Sequence, residues 1–147
     1  MTHCVQKDAA GKPYFGWSID LNGSHDVYDE PPGSLQLLPL FDFCSPTDEI
    51  YRNTVAMIRS PEYKYSFANS PINEIGCPHA PHPWILSLAN SLLCGRVEHC
   101  RAILEKISMD NGIACESVDP VLGTCPTGAT FATCAGFLCH SIREALL

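Results

Sequence analysis

The sequence predicts an all-α fold of helical hairpins with one small β-hairpin near the N-terminus. Three observations predict it. Ser45-Pro46-Thr47-Asp48 combines an N-cap serine, a proline suited to the first helical position and an acid three residues after the cap. Gly95 parts two helical patterns, 84–93 and about 97–109, in the way a glycine just past a helix end does, so the two fold back as an α-hairpin. Asn22-Gly23 offers the positive-φ pair of a tight turn between two short alternating segments.

Each element follows from local chemistry. Residues 1–13 show no apolar period and read as a loose arm ahead of a domain spanning 14–147. Residues 14–20 alternate around Phe15, Trp17 and Ile19, and residues 25–28 return toward the Pro31-Pro32-Gly33 turn. From Ser34 to about Phe43, leucines recur at helical spacing, with Pro39 kinking that helix or dividing it in two. The helix begun at Ser45 carries Ile50, Val55 and Ile58 on one face and stops at Ser60-Pro61. Residues 62–83 form a long loop, whose length favours a functional role. The final segment, 128–147, is small or apolar up to His140 and is expected to be the most buried helix.

Composition narrows the function. A chain of 147 residues supports one modest core. No run of about 18 apolar residues marks a membrane span. A net charge of −7, with nine Lys and Arg scattered singly, provides no basic stripe for nucleic acid. The N-terminus has no basic segment followed by an apolar stretch, which sets a cytoplasmic expectation. Nine cysteines in an odd, irregular series then read as reduced and mostly buried thiols.

The stretch Ile75-Gly76-Cys77-Pro78-His79-Ala80-Pro81-His82-Pro83-Trp84 sets a thiol, two imidazoles and an indole among three prolines. Each proline fixes φ and removes a donor, so the rings stand on a stiff support until Pro83 opens a helix. Here the chain resembles a known family. Asp29-Glu30-Pro31-Pro32-Gly33-Ser34-Leu35, Leu38-Pro39-Leu40, Ile50-Tyr51-Arg52-Asn53-Thr54, Ser60-Pro61 with Tyr65 and Phe67, Ile75-Gly76-Cys77-Pro78-His79 and Cys115-Glu116-Ser117 follow the order of the metal-independent exo-α-1,6-mannosidases, glycoside hydrolase family 125. The series runs from about Tyr14 to the C-terminus. Two positions depart from the family: Thr127-Gly128-Ala129-Thr130-Phe131 stands where it reads Thr-Arg-Pro-Trp-Phe, and Asp29-Glu30-Pro31 where it reads Asp-Ala-Asn.

The resemblance implies part of an (α/α)6 toroid. Such a toroid needs six helical hairpins, whereas about five helices are expected here, so the chain reads as the C-terminal part of a larger barrel. It also implies inverting hydrolysis of terminal α-1,6-linked mannose, with no metal and no cofactor. Glu116 matches the general-base glutamate of the family's His-Glu-Ser motif, with Cys115 in place of the histidine. The family's general acid lies upstream of the matched region, so a second chain or a homo-oligomer is the implied partner beside a mannoside. Asp29, His79, His82 and Trp84 are the expected sugar contacts.

Blander readings stand beside these. Glu116 alone would be a surface glutamate at a loop edge, Asp29 a turn former, and His79 a solvated loop histidine. The whole chain also fits a non-catalytic carbohydrate-binding or scaffold remnant of the same fold. Cys77, His79 and His82 with Cys115 or Cys125 form a possible zinc ligand set, although their spacing matches no finger pattern. Cys77 with His79 as a nucleophilic pair lacks a third, orienting residue.

Overall fold

The computed structural model describes residues 4–20, 22–26 and 32–146. Among these, four helices dominate: α1 (Glu49–Ile58), α2 (Ile85–Leu93), α3 (Val97–Leu104) and α4 (Ala132–Leu146). Four short strands, β1 (Val5–Lys7), β2 (Pro13–Phe15), β3 (Ser18–Ile19) and β4 (His25–Asp26), make two antiparallel two-stranded sheets. The mostly helical expectation holds, and β3 and β4 form the hairpin foreseen around Asn22-Gly23. There Asp20 accepts backbone N–H bonds from Asn22 and Ser24, and Gly23 adopts φ of 91°.

Several expectations are corrected. From Val5 onward the supposed loose arm is β1, paired with β2 in the register Val5↔Phe15. Period-two signals are weak in three-residue strands, and the arm is held by tertiary contact instead. Buried Thr54 of α1 accepts from Phe15 N at 2.8 Å and donates to Ile50 O at 2.7 Å, while Asn53 donates to Pro13 O at 3.0 Å. The segment from Ser34 is a single 3-10 turn, Ser34–Leu37, followed by irregular turns. Pro39 cannot donate to continue a ladder, and Asp42 takes a positive φ of 55°.

The cap of α1 is Asp48, not Ser45. Its carboxylate accepts from Ile50 N at 2.8 Å and Tyr51 N at 3.3 Å, while Ser45 closes a preceding turn by accepting from Thr47 N and Asp48 N. Helix α3 ends at Leu104 rather than Met109, because Ser108 N donates to Gly123 O and draws the chain away from the helical path.

The buried centre is α2 rather than α4. Ile85, Ser87, Leu88, Ala89, Asn90, Ser91 and Leu92 are all buried, since α3, α4 and the Ser34–Leu37 turn pack around this one helix. Helix α4 buries only Cys134, Leu138 and Ser141, one stripe laid along α2. Ile72, Leu88, Leu92, Ile103, Val118 and Leu138 join in the larger core; Leu35, Ile58, Tyr63, Tyr65 and Ile75 form a second beneath α1. No described helix is long and apolar enough to cross a membrane.

Candidate active site

The proline-rich loop stands on a buried polar anchor. Glu74, 2% exposed, accepts from Ser87 Oγ at 2.6 Å, Ser91 Oγ at 3.0 Å, His99 Nε2 at 2.9 Å and Arg59 Nη2 at 3.2 Å. Arg59 also donates to Ser91 and, through Nε, to Gln36 Oε1 at 2.9 Å. Burial by itself would raise the Glu74 pKa, but His99, Arg59 and Ser87 outweigh it and hold the carboxyl at about 2. The carboxylate thus ties the base of the loop to α1, α2 and α3. Sequence reasoning passed over this cluster; its one signal was a lone acid in the apolar stretch Ile72-Asn73-Glu74-Ile75.

Above the anchor the loop is shaped by backbone contacts. Gly76 N donates to Tyr65 O and Trp84 N to Ile75 O, which closes the 75–84 segment on itself. A Cβ at Gly76 would lie 2.5 Å from His82 O, so glycine is required for that closure. Trp84 is 8% exposed, its Nε1 donates to Ala80 O at 3.0 Å, and it packs with Cys77 and Ala80. The indole offers no open face to a sugar. It instead carries the His79 ring, whose centroid lies 5.9 Å away at 58°.

Glu116 arrives from a second direction. Ser117 bridges Trp84 on one side and Thr127 on the other, with its hydroxyl 2.6 Å from that of Thr127. Around it Ile85 N donates to Glu116 O, Val118 N to Pro83 O, and Glu116 N to Gly128 O. Gly128 has φ of 52°, and a Cβ there would lie 2.7 Å from Glu116 Cβ. This three-segment stitch fixes the backbone of Glu116 against the start of α2. Its carboxylate Oε1 lies 3.6 Å from His79 Nε2, the histidine side chain 64% exposed and the glutamate 13%.

Thus Glu116, His79 and Trp84 are brought together, although 37 positions separate His79 from Glu116 in the chain. His82 is half-buried and close to Asp119 rather than paired with Glu116. The Asp119 carboxyl is held below its ordinary range first by Leu122 N–H, then by Val121 N–H, with His82 adding to the effect. Asp29 lies outside the described residues.

Cys115 and Cys125 form a disulfide, with Cα atoms 6.0 Å apart, which corrects the expectation of reduced thiols for this pair. The nine intervening residues fold back in the Asp119 turn and bring the two together, a closure that irregular spacing did not reveal. The zinc set is not assembled either: those two cysteines are joined to each other, Cys77 is buried with Trp84, and His79 faces Glu116. Among the described residues no group of three or more His, Cys, Asp or Glu is placed to hold a metal ion. Cys134, buried beneath the Glu116 backbone, has its thiol pushed up to about 11 by burial and by the nearby Glu116 charge, so it stays protonated.

Helical hairpins that present a carboxylate and an imidazole from their connecting loops define a loop-borne site on an α-helical scaffold. The sequence model of the metal-independent alpha-mannosidases, GH125, matches residues 1–142, and the chain belongs to that family. A solved Streptococcus pneumoniae metal-independent alpha mannosidase, in a non-productive substrate complex with alpha-1,6-mannobiose, superposes with a TM-score of 0.77 at 22% identity. The match covers 97% of this chain and 35% of that one, so the chain spans about a third of its length. A search of curated proteins returns no significant match.

Proposed function

We propose that this chain supplies the general-base side of a glycoside hydrolase that removes terminal α-1,6-linked mannose with inversion, as part of an (α/α)6 toroid. The observation that carries the reading is the Glu116–His79 pair, held by the Trp84–Ser117–Thr127 stitch in a chain of the alpha-mannosidase family. Glu116 draws a proton from water as that water attacks the anomeric carbon, and a second carboxyl group protonates the departing glycosidic oxygen. In inverting enzymes the two groups stand roughly 6.5–9.5 Å apart, leaving room for the water. His79 orients the Glu116 carboxylate and contacts sugar hydroxyls, with Trp84 as its support. Asp29, by its match to an acid near the family's sugar, and His82, by its place in the proline-rich loop, are further proposed sugar contacts.

The acid is assigned to the part of the toroid upstream of this match, contributed by a second chain or a longer form of this one. An exposed His79 supports an open, incomplete site. The 430 Å³ apolar groove between α3 and α4 is lined by Leu92, Val97, Leu104 and Ile142, and includes neither Glu116 nor His79. The lack of an inherited acid equally supports a second reading, a carbohydrate-binding or scaffold module without turnover.

The test is hydrolysis of α-1,6-mannobiose by the purified chain, alone and co-expressed with an upstream family segment, each beside Glu116→Gln. The lone chain is expected to be inactive. The pair is expected to turn over, with Glu116→Gln lowering the rate by on the order of 10²–10⁴. Sugar binding by the pair without turnover would favour the scaffold reading. Turnover by the lone chain that survives Glu116→Gln would overturn both the incompleteness and the base assignment.

A further inference from the structure

The disulfide lies immediately beside the proposed base, at a position where the family resemblance places a histidine. Cys115 is fully buried, whereas Cys125 is partly exposed, so the bond has one guarded sulfur and one reachable sulfur. Between them the chain makes a compact loop: Asp119 N donates to Thr124 O, and the Asp119 carboxylate accepts from Val121 N and Leu122 N. Immediately outside the loop, Thr127 and Gly128 return to Ser117 and Glu116 through one hydroxyl pair and one backbone bond. The next tie is Phe131 N to Ala114 O. Exposed residues Val121 and Leu122, at 66% and 72%, lend this loop no packing of their own.

We propose that Cys115–Cys125 is a thiol–disulfide exchange site, with small dithiols or dithiol proteins as its substrates, and that it latches Glu116 in place. A reductant thiolate attacks Cys125 Sγ, forming a mixed disulfide as the Cys115–Cys125 bond breaks. Cys115 leaves as a thiolate and takes up a proton. The reductant's second thiol then attacks its own sulfur in the mixed disulfide, releasing Cys125 and a cyclic disulfide. Two electrons pass from reductant to protein. With the covalent closure gone, the unfolded alternatives of the 115–125 loop regain their conformational freedom, and only non-covalent ties, from Glu116 to Gly128 and Ile85, from Val118 to Pro83 and from Ser117 to Thr127, hold Glu116 against that gain. The consequence for catalysis rests on the reading of Glu116 above; the exchange site itself does not.

The experiment uses the 147-residue chain and no sugar. Free-thiol titration of the unfolded, unreduced chain is expected to find seven thiols, rising to nine after reduction, with peptide mapping placing the bond at Cys115 and Cys125. Trp17→Phe leaves Trp84 as the one tryptophan, because the chain has two. In that background, dithiothreitol is expected to raise the acrylamide quenching constant of Trp84 about twofold or more, as the Ser117 bridge loosens. Hydrogen exchange in peptides covering 114–128 should accelerate by on the order of tenfold while α2 peptides keep their rates, and reoxidation should restore both readings. Cys125→Ser is expected to behave like the reduced chain with or without dithiol, and reduction of the unsubstituted chain keeps the test valid if that variant does not fold. Nine thiols before reduction, unchanged exchange across 114–128 after it, or equal acceleration throughout the chain would each overturn the latch. None of these outcomes touches the mannosidase reading.

Discussion

Replacing Glu74 by glutamine probes the anchor beneath the site. Every group around this carboxylate is a donor: Ser87 and Arg59 reach Oε2, while Ser91 and His99 reach Oε1. Whichever way the new amide turns, its NH2 faces two of them. The Arg59 guanidinium, 11% exposed, also loses its counter-charge. Removing one partner of a buried pair costs about 3–5 kcal/mol, and that is the expected loss at pH 7. Linkage gives an independent figure. The Glu74 pKa is about 2 in the folded chain against an ordinary 4.5, a depression corresponding to about 3 kcal/mol. Because the folded value is the lower one, this stability is present above pH 4.5 and disappears as pH falls toward 2, with about three-fifths gone by pH 3. The assay is urea unfolding of both proteins, followed by circular dichroism between pH 7 and pH 3. The gap between them should narrow as pH falls. A gap below about 1 kcal/mol at pH 7, or one that stays constant down to pH 3, would refute the account of Glu74 as a buried, charged anchor.

Two further predictions concern the joints of the structure. Gly128→Ala should cost about 1–3 kcal/mol in chemical denaturation, since the alanine must hold a left-handed φ and push Glu116 away, and unchanged stability would mean the stitch is not as close as described. Thr54→Val keeps the shape but strands the buried Phe15 N–H, with an expected loss of about 1–3 kcal/mol and faster hydrogen exchange in β1 and β2; slow, unaltered exchange there would show that the first sheet does not depend on α1.

Much of the helical layer could be read from neighbouring residues. Ile50, Val55 and Ile58 mark the face of α1, Ser60-Pro61 its end, and Gly95, with φ of 80°, the turn between α2 and α3. Asn22-Gly23 located its hairpin. These features work through local physics, since capping, turn chemistry and helical period act over a few residues. The capping box at Ser45 misled by three residues because serine and aspartate compete for the same role, and the Asp48 carboxylate takes the free N–H groups of the first turn.

The rest depended on where distant segments meet. Glu74, read as one residue of a loop, is buried because Ser87 and Ser91 of α2, His99 of α3 and Arg59 at the C-cap of α1 converge on it, and nothing in its neighbours announces those partners. The last segment reads as the most buried because it is small or apolar up to His140, yet burial follows from how many elements surround a helix, and α2 has three packed against it. Cys115 finds Cys125, and His79 finds Glu116, through the folding of the 62–83 and 116–128 segments. A local pattern can specify an element, and the family resemblance proposes Glu116 as the carboxylate within one. Which charge stands beside that carboxylate, and which sulfur closes the loop behind it, is settled by packing between residues far apart in the chain, where the one-dimensional pattern carries no distance.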